Sequence, residues 1–300
     1  MNNSVNTTGP QPGYAVVFGS VMVLGLPLNA VALWILLRRH SLKSPSVVFM
    51  VNLAISDLLL VISLPMRVYF YATGTWPLSF TACIWFSMLF LNNIRSSAIF
   101  ITFISIDRLL AVVYPLRTRH LRTTSNAWKS AVFIWIFVIV LNIPERIRFS
   151  KIKDNSTCFQ YDHQQQPTTD LVYLQFVLVF ILLTINIVST ALVSRTLRRH
   201  LTDSARINNK MNVMLIFAMN LVMFTICFVP VTIGVIIRIP ELLSLIWLAS
   251  LNCCLDPLLY YFSLDHFWKK KEDVDSSPVQ REQNVGTSTP RAQQLTIPLT

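Results

Sequence analysis

The sequence predicts an all-α fold, a seven-transmembrane-helix bundle, on three observations. Hydrophobic residues make up 53% of the chain and charged ones only 13%, against roughly 25% charged in an ordinary soluble domain. The apolar residues fall into runs of about 20 or more, enough to cross a hydrocarbon layer of roughly 30 Å as helix. There are seven such runs, and each is continuously apolar. Barrel strands alternate and are only about 10 residues long, so a strand barrel is excluded.

The first run lies near 14–37. It is too long for a cleavable signal and has neither a basic lead-in nor a small-residue cleavage site, so it stays as a helix. The second and third lie near 47–71 and 80–106. The fourth, 127–144, is the shortest, and Pro144 is expected to close it because proline lacks a backbone donor. The fifth, sixth and seventh follow near 170–194, 211–237 and 242–262. The chain thus divides into an N-terminal segment 1–13, a helical domain 14–263, a short amphipathic eighth helix at 264–271, and a tail 272–300 rich in Ser, Thr, Pro and Gln. That tail lacks the apolar content to order itself.

Charge placement sets the expected orientation. The net charge of +11 would suit nucleic acid, but the basic residues cluster in alternate connections. Arg38, Arg39 and Lys43 follow the first run, and Arg117, Arg119, Arg122 and Lys129 follow the third. Arg195, Arg198, Arg199, Arg206 and Lys210 follow the fifth, and Lys269, Lys270 and Lys271 follow the seventh. Residues 1–13 and 72–79 carry no charge. The positive-inside rule makes the basic face cytoplasmic, with the N-terminus outside, the C-terminus inside, and the plasma membrane as the site of a multi-pass chain. The glycosylation acceptors at Asn2, Asn6 and Asn155 all fall on the uncharged side. Cys83 and Cys158 are the only cysteines near that outer surface, where a disulfide can persist. Cys227, Cys253 and Cys254 lie inside helices and read as packing residues.

Charged residues within a bilayer are costly and usually functional. Here they are Asp57, Arg67, Arg95, Asp107, Arg108 and Asp256. Snorkelling at a helix end explains Arg67, Asp107 and Arg108; it does not explain Asp57, Arg95 or Asp256, which sit well inside their runs.

Together with Asn29 in GLPLNAVALW, the NLAISD segment ending at Asp57, Cys83, Asp107-Arg108, Trp135, Cys227-Phe228-Val229-Pro230 and Asp256-Pro257-Leu258-Leu259-Tyr260, these residues resemble the landmarks of rhodopsin-like (class A) G-protein-coupled receptors. The landmarks occur in family order across residues 14–271. Leu64-Pro65-Met66-Arg67, Trp76-Pro77, Tyr114-Pro115-Leu116-Arg117 and Asn252-Cys253-Cys254-Leu255-Asp256 are similar to the lysophospholipid and purinergic branch of that family, the lysophosphatidic acid receptors in particular.

The resemblance implies roles. Asp107 and Arg108 correspond to the pair that governs coupling to a heterotrimeric G protein. Phe224, Phe228, Pro230, Asp256, Pro257 and Tyr260 correspond to the activation switch, with Pro230 bending the sixth helix. Asp57, Ser97 and Asn252 correspond to a cluster that can hold an allosteric sodium ion, and no other cofactor is implied. The Ser/Thr tail would serve arrestin. The fifth helix departs from the family pattern, with Val179 where a proline is usual. So does the stretch from Pro230 to Pro257. At about 1.5 Å per residue the outer halves of two helices consume nearly all of it. Either the outer turn at Ile239-Pro240 is very tight or the chain lacks a segment there.

The ligand expectation rests on arginines. Arg67 lies about a turn below the outer end of the second helix, with Tyr71 on the same face. Arg238 caps the sixth, and Arg95 lies about 18 Å below Cys83, with no acidic residue near it in sequence. Guanidinium groups without carboxylate partners suit a phosphate or carboxylate, so Arg67, Tyr71, Arg95 and Arg238 are the expected ligand contacts. The blander alternatives are snorkelling for Arg67 and Arg238, and hydrogen bonding to carbonyls or Asn92 for Arg95. The expected ligand is an anionic lysophospholipid; the alternative is a small carboxylate or a hydroxy or oxo fatty acid. A transporter would show matched repeats of broken helices, and none is found. An enzyme would need a nucleophile–base set or a metal cluster, and the five His have no such spacing.

Overall fold

The computed structural model describes residues 9–39, 42, 44–150, 158–159, 170–199, 207–239 and 242–260. The glycosylation acceptors Asn2, Asn6 and Asn155, the eighth helix expected at 264–271 and the tail lie outside the described residues. Helices α1 (Pro12–Arg39), α2 (Pro45–Thr73), α3 (Phe80–Val113), α4 (Thr124–Ser150) and α5 (Asp170–Arg199) are each continuous. The sixth span consists of α6 (Ile207–Cys227) and α7 (Val229–Ile237), and the seventh of α8 (Leu242–Ser250) and α9 (252–260). Seven spans are long and apolar enough to cross a membrane, and no strand occurs among the described residues. Helix is the expected outcome, since lipid offers no partner to an unpaired backbone group.

Burial sorts the spans. The apolar window of α2 is 78% buried and that of α3 56%, against 28% for α1, α4 and α5. The outer faces of the peripheral helices expose large apolar side chains, among them Val23 and Val31 of α1, Phe133 and Ile136 of α4, and Val177 and Ile181 of α5. Such faces are stable against hydrocarbon. The polar side chains turn inward, where Asn29, Asp57, Arg67, Asn93, Arg95 and Asp256 are all buried.

The ends follow local chemistry. Ser44 and Pro45 open α2 with extended backbone and a proline whose missing donor costs nothing at that position. Gly74 closes it at φ 72, donating its N–H to the Phe70 carbonyl; a left-handed residue at this point suits glycine. The Ser79 hydroxyl accepts from the Ala82 amide and starts α3. Phe228 breaks the sixth span one residue before α7, with Pro230 in its first turn. Residues 238–241 separate α7 from α8, and the expected turn at Ile239-Pro240 lies partly outside the described residues, which omit 240 and 241. Arg238 adopts the left-handed region (φ 55) at the end of α7, and Gly234 leaves no room for a Cβ against Leu245 of α8.

Three boundaries need correction. Pro144 does not close the fourth helix, which runs on to Ser150. Proline removes a single hydrogen bond, and in a membrane helix the neighbours supply substitutes; the turn after it also carries Glu145 into the interior. The third helix passes through Asp107-Arg108 to Val113 rather than stopping at 106. The α5 helix likewise extends to Arg199 and contains no proline.

Candidate ligand and signalling sites

At the disulfide end of the bundle Cys83 of α3 is bonded to Cys158, with the Cα atoms 6.0 Å apart. The bridge ties Cys158 to α3, and Phe159, at a left-handed φ of 59°, packs on Phe70 of α2 and on Trp76. Arg67 lies beneath it and is fully buried. Its guanidinium carbon stands 4.2 Å from the Phe90 ring centre, 4.3 Å from Phe159 and 5.6 Å from Phe18. Nε, Nη1 and Nη2 have no hydrogen-bond partner among the described residues. Snorkelling is therefore ruled out for this arginine.

Magnitudes say what such a site lacks. A desolvated cation–ring contact contributes about 1–2 kcal/mol, and the three rings share one guanidinium. Removing an unpaired ion from water costs several kcal/mol even after relaxation. Rings alone leave a deficit that an anion accepting two of the N–H groups would remove. Tyr71, one turn outward, stacks on Phe18 at 5.6 Å and 11° and donates its hydroxyl to the Phe159 carbonyl at 3.5 Å. The Gln11 amide donates to the Tyr71 carbonyl at 2.7 Å, and the Tyr14 and Ser244 hydroxyls share a hydrogen bond. The box is thus walled by α1, α2, α3 and the residue after the disulfide. Arg238 is exposed at the end of α7.

Arg95 is not a free cation. It pairs with Glu145 of α4 at 2.9 Å, donates to Gln175 of α5 at 2.9 Å, and donates to Asn142 and to the Leu141 carbonyl. Asn142 in turn donates to Asn92. The expectation of an arginine without an acidic partner is corrected. Its carboxylate lies on the part of α4 beyond Pro144.

Deeper in the bundle, Asn93 donates to Asp57 at 2.9 Å and to Ser56 and Ser97, each at 3.1 Å. Ser97 reaches Asp57 at 3.5 Å, and Asn252 donates to Asp256 at 2.6 Å. The Asp57 and Asp256 carboxyls are both fully buried. Among the described residues Asp57 Oδ2, Asp256 Oδ1 and Asn252 Oδ1 have no hydrogen-bond partner. Orphaned oxygens around two carboxyls fit a hard monovalent cation, and Asp57, Ser97 and Asn252 would hold it with Asp256. No group of three His, Cys, Asp or Glu among the described residues suits a transition metal. Sequence reasoning missed Asn93, although Asn93, Ser96 and Ser97 at helical spacing in an apolar run mark a polar face.

Polar pairs continue toward the other end. Asn29 ties α1 to the seventh span through the Cys253 carbonyl at 2.6 Å, and Trp135 donates to Asn52 at 2.9 Å. Asn186 joins α5 to Thr102, and Asn220 joins α6 to Ser105. Phe224 and Phe228 pack at 5.2 Å beside the break before Pro230. Tyr260, three residues after Pro257, is buried with its hydroxyl unpaired among the described residues. At the base of α3 the Asp107 carboxylate accepts from Arg122 Nε at 2.8 Å and Nη2 at 3.2 Å, and from Ser46. Arg108, on the same turn, is partly buried.

A buried cation box at one end, an acceptor-rich centre and an ion-paired base at the other form an axis through one helical bundle. Comparison with known proteins gives the same description of the whole. The lysophosphatidic acid receptor 6 of Gallus gallus is 34% identical over 84% of this chain and 90% of its own length. The human lysophosphatidic acid receptor 4 is 32% identical over 94% of this chain and 82% of its own. The lysophosphatidic acid receptor 5 of Bos taurus is 35% identical over 85% of this chain and 76% of its own. The relatives are receptors rather than enzymes, and with seven membrane spans the protein is a multi-pass protein of the plasma membrane. Residues 28–260 match the model of the seven-transmembrane receptors of the rhodopsin family, and the chain belongs to that family.

Proposed function

We propose that this receptor is activated by an extracellular lysophospholipid of the lysophosphatidic acid type and signals through a heterotrimeric G protein. The observation that carries the reading is Arg67, a fully buried guanidinium ringed by Phe18, Phe90 and Phe159 with no hydrogen-bond partner among the described residues. A phosphate monoester supplies the missing charge and the paired acceptors. The names of the relatives support the same ligand class. The disulfide end then faces outward with the N-terminus, and the basic Arg108 end faces the cytoplasm with the tail, which serves arrestin. Asp57, Ser97, Asn252 and Asp256 would hold a sodium ion, which when bound would supply positive charge to the two buried carboxyls. Arg95 and Arg238 are secondary in this reading, the first because Glu145 already neutralises it.

The experiment is nucleotide exchange on a G protein in nanodiscs, driven by lysophosphatidates of increasing acyl length. Potency that rises with chain length supports the lysophospholipid. Equal response to a short carboxylate or a hydroxy fatty acid supports a small-acid receptor instead. No exchange with either class overturns the anionic-ligand reading.

A further inference from the structure

Trp247 of α8 has a half-buried ring packed on the core. Its indole N–H is enclosed and meets no acceptor among the described residues. A tryptophan at the lipid boundary turns its N–H toward the wet side, and a buried one ordinarily finds a partner. An enclosed, unpaired N–H does neither, and such groups are rare enough in native proteins to call for an explanation.

The position of this donor follows from α1. The Tyr14 and Ser244 hydroxyls share a hydrogen bond at 3.1 Å, so Ser244 marks the face of α8 that meets α1. The two residues lie near the starts of their helices, and both helices therefore run the same way through the bundle. Trp247 follows Ser244 by three residues and Phe18 follows Tyr14 by four, so each lies one turn deeper on the same face. Phe18 stands 5.6 Å from the Arg67 guanidinium carbon and stacks on Tyr71. Trp247 is thus at the level of the Arg67 box, on the α8 side, which the rings of Phe18, Phe90 and Phe159 do not occupy. Two kinds of donor without partners among the described residues meet at this depth: a guanidinium and a neutral N–H.

Together they distinguish anions by the number of oxygens. A carboxylate has two, and a planar guanidinium engages both in a fork. A phosphate monoester has three terminal oxygens, so the same fork leaves one over. A neutral donor beside the guanidinium serves that third oxygen and gains little from a carboxylate already held by both of its own.

We propose that Trp247 is a specificity-determining residue of the ligand site: its indole N–H donates to the third oxygen of a phosphate monoester whose other two are held by Arg67, which favours phosphate over carboxylate. The inference rests on the reading of Arg67 as the headgroup anchor and names the group that separates the two anion classes.

The test uses two amphiphiles with one chain and different heads, oleyl phosphate and oleate. Each displaces radiolabelled oleoyl lysophosphatidate from the purified receptor in nanodiscs. Trp247→Phe keeps an aromatic ring and removes the N–H. It is expected to weaken oleyl phosphate about tenfold or more, the scale of a hydrogen bond to a charged acceptor, and to leave oleate within about twofold. Replacing Trp247 by benzothienylalanine keeps the bicyclic shape with sulfur in place of the N–H, and the same selective loss is expected. Equal loss of both amphiphiles in Trp247→Phe, with no loss in the benzothienylalanine receptor, means that the ring only shapes the site and overturns the proposal. Unchanged affinity for oleyl phosphate in both variants overturns it as well. Arg67→Ala separates the two levels of the argument. Weakened binding there, with none at Trp247, rejects the third donor and keeps the headgroup site. Undiminished binding in Arg67→Ala, or no lysophosphatidate binding by the wild type, rejects the site and this proposal together.

Discussion

Replacing Glu145 by Leu leaves the Arg95 guanidinium in the bundle interior with only neutral acceptors. Both side chains are largely enclosed, with 4% and 12% of their surfaces exposed, so water cannot substitute for the missing carboxylate. Breaking a buried pair from one side typically costs about 3–5 kcal/mol. Here Asn142, Gln175 and the Leu141 carbonyl remain on the guanidinium, which retains part of the stabilisation and brings the expectation to about 2–3 kcal/mol. For a chain of this size that corresponds to a fall of roughly 4–10 °C in apparent melting temperature, measured by thermal denaturation in nanodiscs. The double variant Arg95→Met/Glu145→Leu removes both charges and fills a similar volume. It should recover most of the loss, because the desolvation of both ions is avoided as well. If Glu145→Leu melts with the wild type, the ion pair contributes nothing and the reasoning from burial is wrong. If the double variant is as unstable as the single one, shape rather than charge is what the cluster provides.

Other expectations follow from the remaining polar centres. Asp57→Asn should abolish the stabilisation by sodium, read as the difference in melting temperature between sodium and choline buffers; a difference that persists removes Asp57 from the ion's site. Arg108→Ala should reach the cell surface and bind agonist yet give no stimulated nucleotide exchange, and full signalling by that variant would refute its assigned role. Glycosidase treatment of the receptor from cells should increase gel mobility, and replacing Asn2, Asn6 and Asn155 together should abolish the shift. A shift that survives the triple replacement places the glycan elsewhere.

The parts of this architecture that depend on one helix at a time are legible in the sequence. Length and continuous apolarity mark the seven spans, and Gly74, Ser79 and Pro45 mark ends through backbone chemistry that is local. The Cys83–Cys158 bridge follows from elimination, since no other cysteine lies near that face. What depends on helix rotation is not legible. Arg95 stands among residues of its own helix without a carboxylate, and nothing in the spacing shows that Glu145, 50 residues later, turns toward it. Taking Pro144 as a terminus hid that glutamate altogether. Arg67 can be read as a cation near the outer end of α2, but its aromatic walls come from α1, α3 and the residue after Cys158. Only packing shows that it is enclosed rather than snorkelling. Asp107 follows the same pattern: adjacency suggests Arg108 as its companion, and the fold adds Arg122 and Ser46, which no spacing shows.

The central claim is that Arg67 exists to receive an anion, and equilibrium binding of radiolabelled oleoyl lysophosphatidate to the purified receptor tests it most directly. Losing a charge-assisted contact to a buried phosphate typically costs about 2–5 kcal/mol, some 30-fold or more in affinity. Arg67→Ala should show that loss while its melting temperature without ligand stays level or rises, because an unpaired buried cation has been removed. Arg67→Lys should recover only part of the affinity, for want of the two-pronged geometry. Unchanged affinity in Arg67→Ala, together with a lower melting temperature, would mean that the rings of Phe18, Phe90 and Phe159 hold the arginine for structure alone, and the account of the ligand site would be contradicted.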